Sequence, residues 1–265
     1  DIAKALQNQA GKQVLLSLTR ATEQLKTVVK PSSTRDDYYN RYFDWVTQNQ
    51  QKVQQANDEL GYLHLRAMGA GDVANFAREF YAQYKKQGLI IDVRRNNGGN
   101  VDSWILEKLL KRAWSFWQVR GGESFTNMQQ TFRGHLVVLA DQFTYSDGET
   151  FTAGIKALKL GTVIGKQTAG AGVWLSGRNR QTDGGMSRVA EYPVYAIDGR
   201  WITEGRGISP DIEVDNLPYA TFNGEDAQLQ AAIKLLQKKI NKDPVKPLKV
   251  RSFPKVNVPA DDIID

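Results

Sequence analysis

Between Leu60 and Ile164 short, continuously apolar runs alternate with segments of helical period. The spacing predicts strands at 61–65, 88–93, 135–140 and 162–164, with helices at 73–87, 101–116 and 147–158 between them. A run that is apolar on both faces, such as Leu89-Ile90-Ile91, suits a strand buried inside a sheet that helices cover. The expectation is an α/β layered domain. Ahead of it, residues 3–8 read as a short helix, Gly11 as a turn and residues 14–18 as a strand of a small β-rich module. Lys30-Pro31-Ser32-Ser33 is punctuation, and residues 38–57 carry Tyr39, Tyr42, Phe43 and Val46 at helical spacing. Residues 186–214 read as hairpins and 225–240 as a closing amphipathic helix.

Length allows one large domain with appendages, since 265 residues exceed the roughly 100–200 of a typical domain. No stretch approaches the ~20 consecutive apolar residues of a membrane helix, so no membrane span is expected. With no cysteine, disulfides, thiolate metal sites and cysteine nucleophiles are excluded. The formal charge of +6 is not concentrated. Its largest cluster, Lys234 to Lys255, is broken by Asp243, Pro244, Pro247 and Pro254 and reads as a solvated helix end and linker rather than a nucleic-acid surface. The opening at Asp1 suggests a fragment, and the compartment stays open between cytoplasm and bacterial periplasm.

Three polar, glycine-containing clusters fall at strand ends or helix starts, where α/β folds place their sites. Asp92 to Asn100 includes Gly98-Gly99, which could present N–H groups to an oxyanion or could be a plain strand-to-helix turn. Asp141 to Glu149 places Ser146 at a helix start. Its hydroxyl could be a nucleophile beside the N–H of Asp147, or a helix cap completed by Glu149 in a capping box. In the third cluster, Glu204 to Asp211, Glu204 could orient a base or pair on the surface with Arg206.

Taken together, Gly61-Tyr62-Leu63-His64-Leu65, Leu89 to Arg94 with Gly98-Gly99, Ser146-Asp147-Gly148-Glu149 and Gly207-Ile208-Ser209-Pro210-Asp211 resemble the tricorn-type branch of the C-terminal-processing serine peptidases over roughly residues 38–240. The resemblance implies a crotonase-like or ClpP-like layered α/β catalytic domain at 58–240. It also implies the end of a PDZ-like domain at 1–20, a linker and helical lead-in at 21–57, and a C-terminal extension at 241–265. It makes Ser146 the nucleophile, the N–H groups of Gly99 and Asp147 the oxyanion hole, and Glu204 the support of the serine-histidine network. Substrates would be peptides or unfolded proteins, the assembly a homo-oligomer, and no cofactor or metal is called for.

The sibling branch uses a serine-lysine dyad, but Ala171 stands where that lysine would be, and Lys166 reads as exposed. A histidine is then required as base, and the chain has two. His135 lies at the far end of its strand from Ser146. His64 sits in an apolar strand and is the alternative base. In tricorn-like enzymes the catalytic histidine precedes the PDZ domain, so the base is expected upstream of this chain, leaving the fragment alone inactive. The rival readings are a non-catalytic ligand- or peptide-binding module of the same fold, using the aromatic surface from Trp104 to Trp117, and an acyl-CoA enzyme of the related crotonase-like fold.

Overall fold

In a computed structural model that describes residues 2–253, the chain divides into two units, residues 1–52 and 53–265. The first opens with α1 (Ile2–Ala5) and an antiparallel hairpin of β1 (Val14–Arg20) and β2 (Glu23–Val29). Arg20 pairs with Glu23, so the turn has two residues, and Ala21 adopts φ 54° to make it. The strand expected at 14–18 is therefore half of a hairpin whose second strand runs through residues read as connector. Helix α2 (Thr34–Ala56) starts four residues before the expected Tyr38. The Asp36 N–H donates to Ser33 Oγ at 3.1 Å and the Ser33 hydroxyl to Asp36 Oδ2 at 2.7 Å, a reciprocal cap that fixes the earlier start.

The second unit follows the predicted alternation: β3 (Leu60–His64), α3 (Ala70–Gln83), β4 (Gly88–Asp92) and α4 (Asp102–Leu110). A small hairpin, β5 (Phe116–Gln118) with β6 (Ser124–Thr126), comes next. Then follow β7 (His135–Ala140), α5 (Asp147–Ala157) and β8 (Thr162–Gly165). After them a second hairpin, β9 (Trp174–Arg180) with β10 (Met186–Tyr192), precedes β11 (Ile212–Glu213), α6 (Pro218–Phe222) and α7 (Ala227–Lys242). The C-terminal extension expected from 241 lies partly outside the described residues.

Strands β3, β4, β7, β8 and β11 form one sheet, each parallel to its neighbour, in the order β11-β8-β7-β4-β3. Each new strand of this sheet is laid beside the one before it. With right-handed crossovers, that progression puts the connecting helices on the same face. The core agrees: Leu63, Leu89, Ile91, Leu136, Val138 and Val163 cluster with Phe76 and Phe80 of α3, Ile105 of α4 and Phe151 and Ile155 of α5. Residues of the opposite pleat, Tyr62, Ile90, Val137 and Leu139, are equally buried, and α7 contributes Leu229, Ala232 and Leu236 to that side. Both faces of the sheet are covered, which is why its strands read as unbroken apolar runs.

Two expectations needed correction. The helix predicted for 101–116 ends at Leu110, because Lys111 leaves helical conformation (φ −55°, ψ 138°) and Phe116 joins β5. Of the apolar residues that prolonged the pattern, Trp114 is exposed just ahead of that hairpin and Phe116 is exposed within it. Hairpin structure also starts earlier than 186, with β9 at Trp174.

Candidate active site

All three polar clusters lie beyond C-terminal ends of the sheet strands or in the loops packed on them, and hydrogen bonds join them. In the loop after β4, Asp92 and Arg94 form a buried ion pair of 2.6 Å, and Arg94 reaches Asp226, the N-cap of α7, at 2.9 Å. Burial opposes ionisation of Asp226, but the Arg94 charge beside it wins and holds its carboxyl below the ordinary value. This part of the loop is a structural anchor. Asn96 then turns inward, donating from Nδ2 to the Leu65 carbonyl at 2.6 Å and accepting the Gly98 N–H at 2.8 Å. Its own carbonyl accepts the Tyr145 N–H at 2.9 Å, which ties the first cluster to the second.

Gly98 and Gly99 are required here for different reasons. A Cβ on Gly98 would come within 2.5 Å of Ser146 Cβ, so the loop lies against the serine only because that atom is missing. Gly99 has φ 157°, and a Cβ there would stand 1.9 Å from the Met68 carbonyl oxygen.

Ser146 begins α5 with φ 53° and ψ −119°, a conformation costing a non-glycine residue about 1–3 kcal/mol. Capping does not explain it fully. The Ser146 N–H donates to Glu149 Oε2 at 3.1 Å as a capping box requires, yet the Glu149 N–H goes to the Ser146 carbonyl at 2.8 Å and the hydroxyl makes no side-chain cap bond. The serine is strained and its hydroxyl is left for other use. Among the described residues, neither the Gly99 N–H nor the Asp147 N–H, which is first in its helix, has a hydrogen-bond partner.

Glu149 was read only as a cap partner, and its position is more central than that. Its carboxylate is fully buried and accepts four hydrogen bonds: from Ser146 N–H, from the Thr168 hydroxyl and Gly170 N–H, both at 2.6 Å, and from Ala171 N–H at 2.8 Å. The loop after β8 is thereby fixed to the serine turn. That loop holds the third cluster in turn, through Gly205 N–H to the Gly170 carbonyl and Val173 N–H to Glu204 Oε2, at 2.8 and 2.9 Å. Glu204 is exposed, and its bond is to this loop rather than to Arg206.

The Asp147 side chain points away from solvent and accepts the N–H groups of Val101 and Asp102 at 2.8 and 3.0 Å. Burial first, then the neighbouring Asp102 carboxyl, push its pKa up to about 7.

The candidate bases are placed as follows. His135 starts β7, at the opposite end of the strand from Ser146, with Nε2 on the Asp243 carbonyl. His64 ends β3 with Nε2 on the Arg94 carbonyl at 2.9 Å, and burial lowers its pKa, which keeps the ring neutral. The structure gives Ser146 no hydrogen bond to either. Lys166 pairs with Glu213 at 2.6 Å, an ion pair and hydrogen bond that raise its pKa, the wrong direction for a base. Ala171 contributes only its N–H. Among the described residues no group of three or more acidic or histidine side chains could hold a metal, and no helix is long and apolar enough to cross a membrane.

The profile of Peptidase family S41 matches residues 59–214. The chain is 33% identical to tricorn protease homolog 1 of Streptomyces coelicolor, over 89% of this chain and 22% of that protein. It is 30% identical to the tricorn protease of Thermoplasma volcanium, over 89% of this chain and 23% of that protein. The crystal structure of the tricorn protease superposes with a TM-score of 0.81 at 29% identity, covering 90% of this chain and 23% of that one. The chain thus spans about a quarter of the length of these relatives.

Proposed function

The chain belongs to peptidase family S41, as a tricorn-like serine peptidase, and from that premise we propose that Ser146 is the nucleophile and cleaves peptides through an acyl-enzyme. The observation that carries this is the strained Ser146 turn, whose hydroxyl makes no side-chain cap bond, together with Gly99 and Asp147 N–H groups that have no partner among the described residues. Two backbone donors beside a serine are what a tetrahedral oxyanion needs, and such donors are worth roughly 10²–10³ in rate. In this reading the serine attacks the scissile carbonyl, a base takes its proton, and the acyl-enzyme is released by water. The base is a histidine supplied from outside these 265 residues, a reading supported by the Nε2 atoms of His64 and His135 being taken up by the Arg94 and Asp243 carbonyls; Glu204 would support it. His64 is then a structural residue holding the loop after β4.

The finer fold reading belongs to the same proposal: a crotonase-like or ClpP-like catalytic layer, with the β1–β2 unit as the end of a PDZ-like domain. Peptides or unfolded chains are the proposed substrates, and the enzyme a homo-oligomer. A binding module of this fold would not need a reactive serine. In the complete parent enzyme a fluorophosphonate should therefore attach covalently, and peptide mass mapping should locate it on Ser146. Absence of labelling in a folded, complete enzyme rejects the nucleophile.

Glu149 is assigned a positioning role, since it holds Ser146 and the Thr168–Ala171 loop together without reaching the reacting atoms. Glu149→Gln converts an acceptor-only carboxylate into a group with two acceptor lone pairs and an NH₂ that cannot accept. Two of the four donors, those on the oxygen that becomes NH₂, then lose their acceptor. The expected result is a fall in kcat of about 10–100-fold with KM little changed, and a stability loss of about 1–3 kcal/mol. A KM-only effect would contradict it.

A further inference from the structure

We propose that Asp102 and Asp147 form a proton-sharing carboxyl pair that holds the start of α4, and with it the Gly98-Gly99 loop, against the turn carrying Ser146. The pair follows from its surroundings. Both side chains are buried, and Asp147 Oδ2 accepts two N–H groups from the first turn of α4. Asp147 Oδ1 is buried with no hydrogen-bond partner. A buried ionised oxygen left bare is costly, and a proton shared with Asp102 satisfies it. The two amides of Val101 and Asp102 favour the charged form, while burial and the facing carboxyl oppose it, and the opposing effects dominate, placing Asp147 at about 7. A singly protonated pair has one negative charge at the positive end of α4, which the helix favours.

Among the described residues neither Asp102 nor Asp147 forms an ion pair with a lysine or arginine. On α5, Glu149 is taken up by Ser146, Thr168 and the loop amides, and Lys156 pairs at the helix's far end with Asp211. On α4, Glu107 is exposed, while Lys108 lies at the other end of the helix on the Gln129 carbonyl, near Lys111. On α3, Asp72 accepts the Gly69 N–H. After β7, Asp141 accepts the N–H groups of Arg95 and Phe143. When the shared proton leaves, two like charges face each other in a dry site, and the start of α4 is pushed from the serine turn.

The link to Ser146 rests on the peptidase reading above; the pair itself does not. Asp102→Asn tests it, because an amide can donate the hydrogen bond to Asp147 while the facing carboxyl that helps raise the Asp147 pKa is gone, leaving burial alone to raise it. A group whose folded pKa lies above its unfolded value stabilises fully below the unfolded pKa and loses that contribution as pH rises through the folded one. Thermal melts of this 265-residue chain should therefore show the wild type losing Tm relative to Asp102→Asn as pH rises from 3.8 to about 7, then holding a constant difference. Parallel pH dependences in the two proteins overturn the pair. Should the variant not fold, infrared spectra of the wild type decide: a protonated-carboxyl band that vanishes through about pH 7 is expected, and its absence at pH 6 overturns the pair. In the complete parent, fluorophosphonate labelling should weaken severalfold above about pH 7 in the wild type and not in Asp102→Asn. Equal profiles there overturn the coupling to the serine, whereas no labelling at any pH removes the peptidase reading and leaves the melting and infrared results to judge the pair.

Discussion

Ser146→Ala is expected to abolish peptide hydrolysis by the complete parent enzyme, with kcat falling on the order of 10⁴–10⁶-fold, while the chain folds as before. The two halves of this expectation rest on different atoms. Alanine keeps the Cβ that fits against Gly98, and it keeps the backbone groups that bond Glu149 and close the first turn of α5. What it removes is a hydroxyl that makes no cap bond. Loss of a working helix cap costs about 1 kcal/mol, so the stability change should fall below that. Steady-state hydrolysis and thermal melts of the same preparations check both halves. Substantial turnover in the alanine variant would reject the nucleophile, and a large loss of stability would show the serine to be structural.

Gly99→Ala should be the most damaging single methyl added to the site. Its Cβ would lie 1.9 Å from the Met68 carbonyl oxygen and 2.2 Å from its carbonyl carbon. Those atoms are backbone and have no rotamer to escape into. The Met68 segment is itself bonded to this loop, by Met68 N–H to the Gly98 carbonyl at 2.8 Å and Asn100 N–H to the Met68 carbonyl at 2.9 Å. Relief of the clash therefore breaks backbone bonds worth about 1 kcal/mol each and adds strain of about 1–3 kcal/mol at φ 157°. A destabilisation of roughly 3–5 kcal/mol is expected, with labelling of Ser146 slowed at least about 100-fold as the Gly99 donor moves. Urea melts and labelling rates measure the two effects. Gly121→Ala is the control, since Gly121 has φ 75° but open space around it. Should the two variants behave alike, conformational strain alone is at work and the close approach to Met68 is irrelevant.

What could be read in the sequence was set by the range of each interaction. The strands Leu60–His64, Gly88–Asp92 and His135–Ala140 were legible because burial on both faces leaves an apolar run in consecutive residues. Helix α4 was read too long because Trp114 and Phe116 continue an apolar pattern that the structure leaves exposed, ahead of and within the β5–β6 hairpin. From its neighbours alone Ser146 could be read as a nucleophile or as a helix cap, and it was the resemblance that made it the nucleophile. The features that separate it from a cap, its φ of 53° and the fit against Gly98, depend on a loop 48 residues earlier. Glu149 could be found as the fourth residue of a capping box, but three of its four donors lie 19–22 residues further on. The buried side chain of Asp147 gave no local sign of its partner, because the pairing with α4 spans 45 residues.

The strain at Ser146 has a consequence for the life of the chain before it is folded. A φ of 53° is not one that a serine adopts unaided, and here it is maintained by Asn96, Gly98, Thr168 and Ala171, which reach the turn from upstream and downstream. The Asn96 and Gly98 contacts need β4 beside β7, and those of Thr168 and Ala171 need the segment after β8 as well. During synthesis the serine is therefore an ordinary one, relaxed and hydrated, on a nascent polypeptide. The strained serine turn is therefore completed late, after the segment following β8 has joined the sheet.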